Sequence, residues 1–211
     1  MKSIKSSGSA VCPDGCEPFD AEFWTLIGAD EDESLKQALL GGELNLVRCP
    51  ECGKFFYHDR DIIYFDPPAQ LLAFVAPNAG KKDFDKVKAK MQADFKLLKE
   101  NLASLNIDYA PFYLRTLEEL KAMLDYEAKI SEQSEVIAAF AAQRGFKLAP
   151  LRRADARANG WPFYIPVAGA DYNKEAVLKA SKEVLAQNPD MGLLAAFIKG
   201  ISAGEPLPPR I

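Results

Sequence analysis

An α+β fold is expected from three features of this chain. Residues 19–76 hold short apolar and alternating runs separated by Gly, Pro and Asp, the pattern of strands and turns. All four cysteines fall in two short loops, Cys12–Cys16 and Cys49–Cys52, that can close a small antiparallel β module. From Lys81 onward apolar residues recur every three or four positions, the period of amphipathic helices. The expected order is a β module with a short helix insert, then a mostly helical region with a small second β-hairpin packed on it. The boundaries follow from composition: residues 1–10 as a disordered N-terminus, 11–80 as the β-rich cysteine module, 81–201 as the helical region, and 202–211 as an extended Pro-rich tail.

Each element has a local reason. Residues 1–10 are rich in Ser, Gly and Lys and offer little to bury. Phe19–Ile27 begins as an apolar/polar alternation and reads as a strand. The acidic run Asp30–Glu33 suits the first turn of a helix from Glu33 to Leu40, where negative charge complements the macrodipole; a cation site is the alternative, but no EF-hand spacing is present. Gly41-Gly42 stops that helix. Leu44–Arg48 leads into the second cysteine loop and Lys54–Tyr57 leads out. Asp61–Phe65 and Leu71–Ala76 flank Asp66-Pro67-Pro68-Ala69-Gln70 as a hairpin, because prolines cannot extend a sheet ladder. Pro77–Gly80 is the expected boundary.

Phe84, Val87, Met91, Phe95, Leu98, Leu102 and Leu105 form one stripe on a helix, suited either to an internal core or to a dimer. Lysines cover much of the rest. A solvated face above a core stripe is the simpler reading than a membrane-surface helix, because four acidic residues dilute the positive charge. Tyr109–Tyr113 reads as a loop around Pro111. Thr116 and Glu119 have capping-box spacing ahead of a helix through Leu124, and a second helix is expected from Glu132 to Arg144, stopped at Gly145. Phe146–Arg153 and Trp161–Val167 read as paired strands separated by Ala154–Gly160, with prolines confining them to sheet edges or ends. Asn173 caps a helix through Gln187, and a last helix spans Met191 to Lys199. The tail is expected to extend, as an arm able to dock on a partner.

Composition excludes several functions. The chain of 211 residues is 48% hydrophobic and 27% charged, ordinary for a globular protein, and every apolar run is broken well short of a membrane span. The N-terminus has no apolar core, so it is a poor signal peptide and a cytoplasmic location is expected. Residues 1–80 carry 6 basic and 13 acidic residues, a net −7, against +3 for the remainder. An acidic cysteine half disfavours duplex binding, which rests on neutralising phosphates.

Reduced compartments favour metal over disulfide for paired cysteine loops. Cys49-Pro50-Glu51-Cys52-Gly53 has the two-residue spacing that turns both sulfurs to one point, with Gly53 free to take the left-handed backbone that closes a knuckle. Cys12 and Cys16 enclose three residues, within the usual range, and Gly15 can absorb the extra one. The 32 residues between the loops make the module a split, zinc-ribbon-like one. Four thiolates suit one zinc ion per chain, with iron the chemical rival and disulfides or free thiols the metal-free alternatives. A set of four protein ligands leaves no open position, so the metal is expected to be structural. Arg48 stands where it can offset part of the negative charge of such a centre.

Other chemistry is sparse. His58 is the only histidine; it stands beside Asp59 and Asp61 and is either an exposed loop residue or an acid–base group. Arg152, Arg153 and Arg157 lie near Trp161, Phe163 and Tyr164, a combination that can stack on single-stranded nucleic acid but more simply is a solvated surface over buried aromatics. No phosphate-binding loop, nucleophile elbow or dinucleotide fingerprint is present.

The chain resembles the CpXC domain family of bacterial and archaeal proteins. The resemblance lies in Cys12-Pro13 with Cys16, Phe23–Ile27, Glu33–Lys36, Leu40–Asn45, Cys49–Gly53, and Tyr64–Pro67 leading into Leu71–Pro77, with weaker likeness near Thr116–Leu120 and Ser134–Phe140. The first loop departs from the family pattern by one extra residue. The resemblance implies a zinc-binding module and no activity. The function expected is a zinc-stabilised accessory protein that binds protein partners and neither membranes nor nucleic acid. The alternatives are a nucleic-acid-associated zinc ribbon and an enzyme using His58 with nearby carboxylates.

Overall fold

Leu71-Leu72-Ala73-Phe74-Val75 is buried at every position and forms β6, an inner strand of a five-stranded sheet. In the computed structural model, which describes residues 1–77, 83–101 and 107–210, the first unit also contains β1 (Ile4–Ala10), β2 (Phe19–Gly28), β5 (Ile62–Asp66) and β7 (Phe112–Leu114). The sheet order is β1-β2-β5-β6-β7. The α+β class is as expected, but the sheet is mixed. β1 and β5 run antiparallel to β2 and β6 respectively, while β2 pairs with β5, and β6 with β7, in parallel. Parallel neighbours need crossovers. The first contains helix α1 (Glu33–Leu40) and a separate two-stranded hairpin, β3 (Leu46–Arg48) with β4 (Phe55–Tyr57); the second contains helix α2 (Phe84–Asn101).

The short elements follow their local signals. Asp32 caps α1 by accepting the Leu35 N–H at 3.3 Å, and the chain leaves through Gly42 at a φ of 74°. The β5–β6 turn closes where the Asp66 carboxylate accepts the Ala69 N–H at 3.2 Å.

Three expectations for the first unit are corrected. Residues 4–10 are a strand: Ile4–Ala10 pairs with the Leu26–Phe19 edge of β2 through its backbone, which needs little apolar side-chain content. Phe112–Leu114 is a strand, since the chain beyond Pro111 continues the parallel ladder of β6. The compact units are Met1–Ala122 and Met123–Ile211, so the division falls later than residue 80. The reason is packing: Val87, Met91, Phe95 and Leu98 of α2 cover Phe65, Leu72 and Phe74 of the sheet. That part of the apolar stripe serves the internal core. Leu102, Leu105 and the expected boundary residues 78–80 lie outside the described residues.

A single helix, α3 (Leu117–Arg144), replaces the two expected over 117–144. Its N-terminus has a shifted capping box. Thr116 Oγ1 accepts the Glu119 N–H at 3.1 Å, while the Glu119 carboxylate reaches back to the Arg115 N–H at 2.6 Å, one residue beyond the expected partner. The buried residues Leu120, Leu124, Glu127, Ile130, Ser134, Ile137 and Ala141 form one continuous stripe at intervals of three and four. Glu127 and Ser134 conceal it in the sequence because both are polar. Ser134 Oγ donates to the Ile130 carbonyl at 2.6 Å and accepts the Phe163 N–H at 2.8 Å. Beyond the helix, Gly145 takes a φ of 68° and the Phe146 N–H returns to the Ala141 carbonyl at 2.9 Å, a Schellman-type end.

In the second unit, strands β8 (Lys147–Pro150) and β9 (Tyr164–Val167) pair antiparallel as expected. The residues expected only to separate them, Ala154–Gly160, together with Arg153, form a helix, α4 (Arg153–Asn159), ended by left-handed Gly160. Helices α5 (Lys174–Gln187), capped by Asn173 as expected, and α6 (Gly192–Ser202) complete the core with Val177, Val184, Leu194, Phe197 and Ile201. The tail docks on its own unit. Leu207 packs against this core, the Pro208 carbonyl accepts the Tyr172 hydroxyl at 2.9 Å, and Arg210 bridges to Leu151.

Glu127 is 8% exposed and holds two cations: Arg153 at 3.0 Å and Arg157 at 2.6 Å. Its removal leaves the enclosed Arg157 guanidinium without this carboxylate. Glu127→Ala is expected to destabilise the second unit by about 3–5 kcal/mol in denaturant unfolding. A change below about 1 kcal/mol would show that solvent already screens the network.

Candidate metal centre

The first cysteine loop leaves β1 at Ala10 and returns as β2 at Phe19. Cys12 is buried, and the Gly15 N–H closes a turn on the Cys12 carbonyl at 3.1 Å with Gly15 at a φ of 80°. The extra residue of this loop is thus absorbed at Gly15, as expected. The second loop is the tip of the β3–β4 hairpin. Cys49 N–H donates to the Lys54 carbonyl at 2.8 Å, Gly53 N–H donates to the Cys49 carbonyl at 3.0 Å, and Gly53 has a φ of 77°. A side chain at Gly15 or Gly53 would be held in a conformation that L-residues rarely adopt. Two contacts join the loops: an ion pair between Lys54 and Asp14, and the Glu17 N–H donated to the Glu51 carboxylate at 3.2 Å. Arg48 lies beside the knuckle, its guanidinium 5.9 Å from the Phe55 ring centroid and its Nε 3.4 Å from the Gly53 carbonyl.

These contacts bring Cys12, Cys16, Cys49 and Cys52 together, with all four sulfurs within 4.8 Å of one another. Cys12 and Cys52 Sγ are 3.7 Å apart. A disulfide needs about 2.05 Å, and all four thiols are free. A tetrahedron of sulfurs with metal–sulfur bonds of about 2.3 Å has edges of about 3.8 Å, so the donor set fits a thiolate-bound metal. Among the described residues it is the only such cluster of three or more potential ligands.

Protonation follows the backbone. The Cys49 thiol is lowered to about 7 because the N–H groups of Cys52 and Glu51 point at its sulfur. For Cys52, the Lys54 N–H pulls the thiol down, but local desolvation and the contacts with Cys49 and Cys12 carry it up overall, against the pull of Cys16. Cys16 is raised by its contact with Cys52 and by burial. One thiolate, Cys49, forms readily, while Cys16 and Cys52 resist ionisation beside it, a demand for positive charge that a divalent cation would meet.

A residue outside the cysteine motif orients the hairpin. Asn45 is 8% exposed at a φ of 57°, just before β3. Its side chain accepts the Trp24 N–H at 2.8 Å and donates to the Trp24 carbonyl at 3.1 Å, completing β2 where no strand pairs with it on that side. Sequence reasoning placed Asn45 within a strand; the tolerance of asparagine for the left-handed region was the available signal. His58 follows β4 and donates its backbone N–H to the Asn45 carbonyl at 3.2 Å. Its ring stacks on Phe23 with centroids 4.4 Å apart and lines a cleft. Burial, then the Arg60 charge, hold His58 below the usual imidazole range, against the weaker pull of Asp59.

The other candidates do not join the centre. Arg153 and Arg157 are paired with Glu127, and Arg152 with Asp155 at 2.9 Å. Phe163 is buried and Trp161 half-buried, packed edge-on against Phe197 at 5.9 Å. This region is part of the second unit's core and surface ion pairs. Among the described residues, no helix is long and apolar enough to cross a membrane.

The fold and site define a mixed α/β protein whose four cysteines, on two loops, can hold a metal ion. The family model described as CpXC protein matches residues 10–136, more than half of the chain, and the chain belongs to that family. No curated protein and no solved structure matches it.

Two outcomes test the geometry around the centre. Asn45→Ala strips two hydrogen bonds from the Trp24 backbone and is expected to cost about 1–3 kcal/mol in chemical unfolding; a neutral result would mean water replaces them. His58 is expected to titrate below about 6.5 when its ring signals are followed by NMR. The unfolded chain then binds more protons, so stability falls as pH drops through the unfolded value and levels off below the folded one. A folded-state midpoint above 6.5 would contradict the burial described.

Proposed function

We propose that this chain is a cytoplasmic accessory protein that acts by binding other proteins, with one structural zinc ion held by Cys12, Cys16, Cys49 and Cys52. The supporting observation is the closed donor set: four sulfurs within 4.8 Å of one another, on two loops already tied by backbone and ion-pair contacts. Four protein ligands fill a tetrahedral metal and leave no position for a substrate, so the role is structural. Zinc is preferred because four thiolates on two short loops are a usual structural zinc set; iron is its rival on the same ligands. The internally paired arginines withdraw support from the nucleic-acid alternative.

Elemental analysis of protein purified without added metal is expected to find about one zinc per chain, and Cys49→Ser to lose most of it. Chelation should destabilise the first unit by several kcal/mol, since structural zinc sites carry apparent binding energies of about 10–16 kcal/mol in small peptides. A folded, stable chain with no metal would sink the reading. One iron per chain with thiolate-to-iron absorption would keep the centre and change the metal.

A further inference from the structure

The hairpin that carries Cys49 and Cys52 has two unlike faces. Val47 and Phe56 are half-buried, with Phe56 packed edge-on against Phe19 at 6.2 Å. On the other face the register sets Leu46 opposite Tyr57 and Arg48 opposite Phe55. Alternation along each strand puts all four on one side. Phe55 is 62% exposed, Tyr57 60% and Leu46 38%. Single exposed apolar residues are ordinary, but these adjoin one another and a concavity.

That concavity is a half-open cleft of about 390 Å³ at the base of the hairpin. Leu39 from α1, Leu44 before β3 and Leu117 from the first turn of α3 make its apolar surface, and Tyr57 forms the wall shared with the hairpin face. Exposed Asp59 and Glu118 also line it, with one cation, Lys121. Exposed Glu43, between the lining residues Gly42 and Leu44, adds a further negative charge. The surrounding first 80 residues are net −7. Phosphate-bearing partners, nucleic acid or anionic lipid, would be repelled. An apolar slot continuous with two exposed aromatics has the layout of an interface centre, where one buried anchor carries most of the energy.

We propose that this cleft and hairpin face dock a polypeptide segment that seats one large apolar side chain against Leu39, Leu44 and Leu117 and places a lysine or arginine beside it, facing Asp59 and Glu118. The proposal rests on the reading of the four-thiolate centre above, because the hairpin that centre holds supplies Tyr57, His58 and Asp59 to the site. It adds the chemistry of the partner: an apolar anchor flanked by positive charge.

The test is selection of a random-peptide phage library on the immobilised full-length protein, with metal content measured on the same preparation. Enriched sequences are expected to share a Leu, Phe, Met or Trp with Lys or Arg close by. A synthetic peptide of that consensus should bind Tyr57→Ser and Glu118→Lys at least about tenfold more weakly than the parent, with melting temperature and metal content unchanged. Tyr164→Ser, on an exposed position of β9, should bind as the parent does. Rising salt should weaken binding through the cleft charges. Failure to enrich any peptide, enrichment of acidic sequences, or equal binding by the two cleft variants would overturn the proposal. So would a dimer in sedimentation that Tyr57→Ser dissociates, which would assign the face to a second copy of this chain. Peptide binding by a metal-free chain would refute the zinc reading and leave the docking site standing; a zinc-loaded chain without peptide binding would do the reverse.

Discussion

The convergence of four sulfurs is the constraint on which the first unit depends. Two loops 32 residues apart in sequence must meet within 4.8 Å. The intervening chain must therefore leave the sheet along β2, turn through α1, and come back as a hairpin before rejoining the sheet at β5. That excursion supplies the crossover that the parallel neighbours β2 and β5 require, where an antiparallel pair could have been joined by a tight turn. The hairpin itself has three residues per strand, too few to be stable alone. It is secured at its tip by the cysteine loops and at its base by the Asn45 amide on Trp24.

Buried polar groups fix the rest of the architecture. Asn45, Glu127 and Ser134 are all 8% exposed or less, and each bonds to a backbone group or a charged side chain. Unmade bonds in such places are expensive, so each group restricts its neighbours to one arrangement. Asn45 sets the hairpin against β2, while Ser134 sets the backbone before β9 against α3. Glu127 gathers the arginines of α4, which removes them from the surface as a nucleic-acid patch. Specific geometry here comes from polar satisfaction inside an apolar stripe, with the stripe supplying most of the driving force.

Charge and shape together give the first unit its outward character. Its acidic side chains disfavour polyanions, and the side of the hairpin that does not reach the sheet leaves aromatic residues in water. A metal centre with four protein ligands leaves no open position on the metal, and it can hold such a surface in place on elements too short to hold it themselves. The cleft beside His58 is, on the reading proposed above, a recognition feature built on a support that the metal would hold.

Much of this was legible in the sequence, because the signals were local. The spacing of Cys49 and Cys52, the glycines at 15 and 53, the Asp66–Gln70 turn, the acidic start of α1 and the caps at Thr116 and Asn173 each act within a few residues. They identified the α+β class, most element positions and the cysteines that come together. The misses have one cause: long-range pairing outweighed local composition. Polar residues 4–10 became a strand because the edge of β2 needed a partner, and 125–131 stayed helical because Glu127 found two arginines from α4. The 202–211 tail lay down on its own unit because Tyr172 and Leu151 received it. The sequence by itself determined which residues can bind metal and where the chain turns. Only the tertiary structure decided strand order, the parallel pairings and the placement of Asn45 and His58, because those depend on which distant groups satisfy each other's hydrogen bonds and charge.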